Sequence, residues 1–139
     1  MLRRLILLIA LLGGCHAWAL TPEQAGKIAA GDSDDRVAAL NEAVAAGDTA
    51  LSPFIQAMLD DTVKVAGGKA FIVQGDKVVD AATGAAATLP ADAEDVVNNN
   101  RMRRELEAAL AVLKLVSPDV AVRRAAIAEL KDDVDEGKL

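Results

Sequence analysis

The sequence predicts a mainly α-helical chain of short helix pairs, with a small β-hairpin or meander inserted at about residues 62–80. Three observations predict this. Aromatic residues make up only 2% of the chain while 53% of it is hydrophobic. Such a composition suits thin, closely packed helices better than a β-sandwich, which draws on aromatic and β-branched residues. Helix-start signals, a Ser or Thr beside a Pro or an acid, recur ahead of apolar runs with helical period. One central stretch instead alternates β-formers with glycine turns. At 139 residues the chain is at most one ordinary domain.

The first element is a targeting segment over residues 1–19. Arg3 and Arg4 supply the charged region, Leu5 to Leu12 the apolar one, and Ala17 and Ala19 the small residues of an A-x-A cleavage site. Cleavage after Ala19 is expected. Two alternatives stay open: Leu12-Gly13-Gly14-Cys15 resembles a lipobox, and the uncharged run from Leu5 to Pro22 borders on the length of a retained anchor. In each case residues 20–139 are exported.

Thr21-Pro22-Glu23-Gln24 reads as a capping box with proline at the first helical position, starting a helix to about Ala30 that Gly31 stops. Ser33-Asp34-Asp35 starts a second helix, its acids favouring the positive end. Val37, Leu40 and Val44 lie on one face, and Ala46-Gly47 ends it. Ser52-Pro53 starts a third, with Phe54, Ile55, Met58 and Leu59 apolar, so that 34–60 is expected to form a helix pair. Val63-Lys64-Val65, Ala70 to Val73 and Val78-Val79, separated by Gly67-Gly68 and Gly75-Asp76, form the β insertion. Residues 81–93, rich in Ala and Thr without a period, read as a loop.

Asn98 to Asn100 can cap the next helix, whose Met102, Leu106, Leu110 and Leu113 make one apolar stripe. Ser117-Pro118-Asp119 starts the last helix, with Val120, Ile127, Leu130 and Val134 as its apolar face to about Asp132. The acidic run Asp132, Asp133, Asp135, Glu136 lacks the alternating calcium-loop spacing and reads as an exposed acidic loop.

Loss of residues 1–19 removes Cys15, His16 and Trp18, the chain's single copies of each, and Tyr is absent throughout. The remainder therefore holds no disulfide, no Cys–His or Ser–His–Asp nucleophile and no Cys/His zinc site. Ser33, Ser52 and Ser117 sit in helix-start contexts and read as caps. No catalytic, cofactor-binding or metal-ligating residue is assigned, and an enzyme is not expected. Removal of Arg3 and Arg4 takes the formal charge from −6 to −8. That balance, with few aromatics for base stacking, argues against nucleic acid.

Against this acidic background Arg101, Arg103 and Arg104 form a basic cluster at a helix N-terminus, where cations are mildly disfavoured. Pairing of Arg101 with Glu105 and of Arg103 with Glu107, four residues apart, is expected to occupy two of them at about 0.2–0.5 kcal/mol each. The three arginines are also the candidate partner-binding surface.

An internal repeat ties the helices together. Arg36-Val37-Ala38-Ala39-Leu40 aligns with Arg123-Arg124-Ala125-Ala126-Ile127 at an offset of 87, and Gly47 to Leu51 with Asp135 to Leu139 at 88. Such an offset is about two units of 40–47 residues, the length of HEAT and armadillo repeats. A HEAT-like architecture is thus expected, with the chain stopping halfway through a repeat and forming the front part of a longer protein.

The order of motifs carries a further resemblance: a signal segment, L-T-P-E-Q-A at 20–25, G-D-S-D-D-R-V-A-A-L-N at 31–41, A-G-D-T-A-L at 46–51, N-N-R-M-R-R-E-L-E-A-A-L-A-V-L-K-L-V-S-P-D at 99–119 and V-R-R-A-A at 122–126. This pattern resembles the N-terminal extracytoplasmic region of the permease subunit of urea-type ABC importers, relatives of branched-chain amino-acid permeases. The resemblance covers essentially the whole chain and is most specific at 99–119. It implies a bacterial protein at the periplasmic face of the cytoplasmic membrane, continuing into a polytopic domain. It further implies partnership with a second permease, ATPases and a periplasmic binding protein. Residues 20–139 contain no uncharged apolar run near 20 residues, so the translocation pathway lies outside this chain and no substrate-contacting residue carries over. The other reading is a free-standing exported helical-repeat adaptor or lipoprotein.

Overall fold

The computed structural model describes residues 20–48 and 51–136. The targeting segment, with Ala17, Ala19 and Cys15, lies outside the described residues, as do Thr49, Ala50 and the last three positions, which carry much of the second repeat alignment. The described residues form five helices and a four-stranded antiparallel sheet. In chain order these are α1 (Pro22–Ala29), α2 (Ser33–Ala45), α3 (Leu51–Leu59), β1 (Val63–Ala66), β2 (Lys69–Gln74), β3 (Lys77–Asp80), β4 (Glu94–Asp95), α4 (Asn100–Leu115) and α5 (Val120–Glu136).

Local chemistry accounts for the boundaries. Thr21 and Gln24 cap α1 reciprocally: the Gln24 amide donates to Thr21 Oγ1 and the Thr21 amide to Gln24 Oε1, both at 3.1 Å. Asp32, not Ser33, occupies the cap position of α2 and makes no side-chain cap bond. Ser33 is the first helical residue, and Ser52 is the second residue of α3. Asn99 caps α4 by accepting from the Met102 amide at 2.8 Å. At the start of α5, Asp119 Oδ1 accepts from the Ala121 amide at 2.7 Å, while Ser117 Oγ accepts from Asp119. Helix α5 continues through Glu136, so the acidic run 132–136 is helical rather than a loop.

The end of α3 is a Schellman closure. The Thr62 amide donates to Ala57 O and the Asp61 amide to Met58 O. This requires Asp61 to adopt φ 56°, the left-handed region that favours glycine. The chain then enters the sheet, whose order is β3-β2-β1-β4. Val63 pairs with Ile72 and Ala66 with Lys69 across a two-residue turn in which Gly67 and Gly68 both have positive φ. The expected loop at 81–93 is partly tied to the sheet through a bridge between Val79 and Ala86. Strand β4 was not anticipated: it holds only Glu94 and Asp95, without β-formers, and joins β1 beside a Lys64–Asp95 ion pair of 2.7 Å.

Helix α4 is the axis of the helical part. Helix α2 packs on both α1 and α4, and α3 packs on α4, rather than α2 and α3 packing on each other as the helix pair expected over 34–60; α5 packs on α4 too. Its Met102, Leu106, Ala109 and Leu113 are buried with Leu40, Leu51, Phe54, Ile55 and Met58 in one core. Helix α1 links this core to the sheet by packing on α2, β1 and β2. The contact with the sheet is possible only because residue 26 is glycine: a Cβ there would stand 2.1 Å from Gly68 O.

Helix propensity alone predicts that Gly26→Ala stabilises by about 1 kcal/mol. The backbone contact reverses the sign: we predict destabilisation of about 1–3 kcal/mol by overpacking, read as a lowered urea midpoint.

Candidate interaction surface

The N-terminus of α4 gathers the polar contacts that reach farthest along the chain. Asn98, just before the helix, is buried, and so is Arg36 on α2. The Arg36 guanidinium donates from Nε to Ile28 O at 2.8 Å, from Nη1 to Val97 O at 2.9 Å and from Nη2 to Asn98 Oδ1 at 2.6 Å. Asn98 in turn donates from Nδ2 to Met58 O at 2.8 Å. Ile28 and Met58 lie in the last turns of α1 and α3, where backbone carbonyls lack helical partners and the dipole is negative. Arg36 thus meets carbonyls in place of a carboxylate, and burial pushes its pKa below the ordinary arginine value.

The sequence pattern singled out Arg36 only as part of a repeat. Its role as a joint was invisible there, because every acceptor but one is a backbone carbonyl brought in by other elements. The available signal was an arginine inside an apolar helix face with no acid three or four residues after it.

The three arginines of the candidate surface fare differently from one another. Arg101 pairs with Asp34 in the first turn of α2 at 2.6 Å. Arg103 grips both carboxylate oxygens of Asp61 at 2.6 and 2.8 Å and also donates to Leu59 O at 3.2 Å. Neither makes the expected intrahelical pair with Glu105 or Glu107. The chain instead offers acids on α2 and after α3 that already stand at the helix end, in better geometry than an Arg-before-Glu pair. The abutting negative end of α3 also removes the conflict between these cations and the positive end of α4. Arg104 is exposed and makes no ion pair among the described residues. Asn99 adds a bond from Nδ2 to Ser33 Oγ at 2.8 Å, completing the seam between α2 and α4.

A second arginine repeats part of this device. Arg123 is the fourth residue of α5, as Arg36 is of α2, and an Asp precedes each helix. Arg123 Nη1 donates to Ser117 O at 2.6 Å and to Pro118 O at 3.0 Å, just beyond the end of α4. Each arginine therefore reaches back to backbone carbonyls ahead of its own helix, Arg36 to the last turn of α1 and Arg123 to the linker directly before α5.

Two open depressions complete the surface. One, of about 510 Å³, lies between α3 and the β2–β3 side of the sheet, with Phe54, Ile72 and Val79 in its wall and Asp60 and Asp80 at its rim. The other, of about 410 Å³, runs between α3, α4 and α5 past Pro53, Leu110, Leu113 and Val122. Among the described residues there is no cluster of three or more His, Cys, Asp or Glu that could hold a metal ion, and no helix long and apolar enough to cross a membrane.

No protein-family model, curated protein or solved structure matches the chain.

The two kinds of arginine predict opposite salt responses. Arg36→Met removes three hydrogen bonds, two of them buried, and should cost about 3 kcal/mol or more, unchanged in 1 M salt. Arg36→Lys should not rescue it, since one ammonium cannot span the three acceptors of a planar fork. Arg103→Ala breaks a half-exposed pair and should cost about 1 kcal/mol or less, shrinking further in salt. Urea melts at two ionic strengths check both.

Proposed function

We propose that the chain is a helical interaction module of an exported protein, the N-terminal periplasmic part of the permease subunit of an ABC importer for urea or a related small amide or amino acid. It braces or docks partners outside the membrane and contains none of the translocation pathway. The transporter setting rests on the motif order, above all N-N-R-M-R-R-E-L-E-A-A-L at 99–110. The module reading has one structural observation behind it: the arginines at the fourth position of α2 and of α5, each bonded to backbone carbonyls ahead of its own helix. An arginine-to-carbonyl contact recurring at an 87-residue offset fits a HEAT-like array of similar units. The exposed apolar side chains of α5 fit a surface that meets another protein.

Two measurements test the proposal. The coding frame should run on past Leu139 into several apolar stretches of about 20 residues. Deletion of residues 20–136 from that longer protein should then lower urea uptake and its co-purification with the second permease or the binding protein. A stop directly after Leu139 would replace this reading with a free-standing exported adaptor.

A further inference from the structure

The last helix is held differently from the others. Its Val120, Ile127, Leu130 and Val134 share one face, expected to pack inward, and the structure turns that face outward: the four are 46%, 58%, 43% and 56% exposed. Among residues 120–134, Ala126 alone is buried, on the helix that packs against α4. Helix α4, by contrast, buries Met102, Leu106, Ala109 and Leu113. Covering one methyl group stabilises far less than covering four core side chains.

Polar contacts do not make up the difference. Among the described residues, no hydrogen bond joins α5 to α1, α2, α3, α4 or the sheet. Arg123 donates to Ser117 O and Pro118 O, and the Ala121 amide donates to Asp119, so these bonds tie α5 to its own lead-in. The Lys114–Glu129 ion pair does cross to α4, but at 3.6 Å, with the two side chains 39% and 65% exposed, solvent leaves it little strength. Between α5 and α3, the depression of about 410 Å³ beside Pro53, Leu110 and Val122 takes the place of packed side chains. The helix is also weak in itself: Asp132, Asp133, Asp135 and Glu136 stand at its negative end, and its last turn holds no basic residue.

A pivot lies where α4 ends. Val116 leaves the helix at φ −97° and ψ 5°, and the last bonds back to α4 lengthen, from the Val116 amide to Val112 O at 3.2 Å and from the Ser117 amide to Lys114 O at 3.4 Å. Pro118 follows, and it has no amide with which to continue α4. We infer that α5 is a separately opening unit, which leaves α4 by rotation at Val116 and Ser117 while α1 to α4 and the sheet stay folded. The bonds of Arg123 and Asp119 travel with it, so that opening gives up only the seat of Ala126 and one solvent-weakened ion pair. Opening also widens the depression beside Leu110 and Leu113, and the accessible face of α4 therefore depends on where α5 stands. This device goes beyond the interaction-module reading and is independent of the transporter setting, which the coding-frame and uptake measurements test separately.

Amide hydrogen exchange of the full 139-residue chain, followed by NMR, tests this. The amides of 124–134 should be at least about a hundred-fold less protected than those of Met102 and Leu106. Below the unfolding transition their exchange should rise little with urea, while that of Met102 and Leu106 should rise steeply, because local opening exposes little surface. Ile28→Val, a conservative truncation in the core on α1, should lower the protection of Met102 and Leu106 several-fold and leave that of α5 as it is. Ala126→Asp should remove the protection of α5 and lower that of Met102 and Leu106 by no more than the factor α5 had, since docking adds only that much to the whole. Equal protection and urea dependence in the two helices, parallel loss in Ile28→Val, or collapse of α4 protection in Ala126→Asp would overturn the proposal. So would free-peptide exchange rates for α5 in the unaltered chain, because the helix would then have no seat to leave.

Discussion

A buried guanidinium is costly unless its donors find acceptors, and Arg36 finds three, from two stretches of chain far apart in sequence. Ile28 O fixes the end of α1, and Val97 O with Asn98 Oδ1 fixes the approach to α4. Asn98, held in this way, passes the constraint to the end of α3 through Met58 O. Because the fork is planar and rigid, these groups cannot shift independently. Residues 36 and 98 are 62 positions apart, and α3 and the whole sheet lie between them. The β insertion is therefore an excursion that leaves and returns at one polar joint, and the helical core can close around it.

That arrangement explains why the sheet can be small. Strand β4 holds two residues and β1 and β3 four each, too little to stand alone in water. It is held at both ends: by α1, which meets the β1–β2 turn at Gly26, and by Val96, which is buried just ahead of the joint. Loss of the joint would free both anchors together. The ion pairs of Arg101 and Arg103 sit at the rim of the same junction, where solvent weakens them. They add orientation to α2, α3 and α4 more than they add stability.

The parts of this fold legible in the sequence are those that depend on neighbours a few residues away. The capping box at Thr21, the glycine turn at 67–68, the stripe of α4 and the stops at Gly31 and Gly47 all follow from local stereochemistry. The parts that escaped depend on what arrives from elsewhere. Strand β4 has no β-forming residue and exists because β1 presents an unpaired edge. Arg101 and Arg103 had acids four residues on, yet they bind Asp34 and Asp61, whose nearness comes only from the packing of α2 and α3 on α4. Asp61 is a further case: a Schellman turn takes glycine most readily, and its aspartate follows from the bidentate grip of Arg103 rather than from the turn. For the same reason the candidate surface was found as a cluster of residue types, while its working arrangement was not.

The last helix shows where periodicity stops being informative. The spacing of Val120, Ile127, Leu130 and Val134 correctly marks one face, but a period cannot say whether a face is covered. In α4 an equally regular stripe is buried because α2 and α3 lie against it. In α5 the contact with α4 is made through Ala126 and the Lys114–Glu129 pair instead, leaving the larger side chains outward. Small residues permit close approach between helices, so α5 can sit on α4 without using its apolar stripe. Its Arg123 meanwhile repeats the backward reach of Arg36, but to only two carbonyls and without an Asn98 to carry the constraint onward. What Arg36 does inside a covered core, Arg123 does at an edge, and the difference between the two is the layer of helix that lies over the first and not over the second.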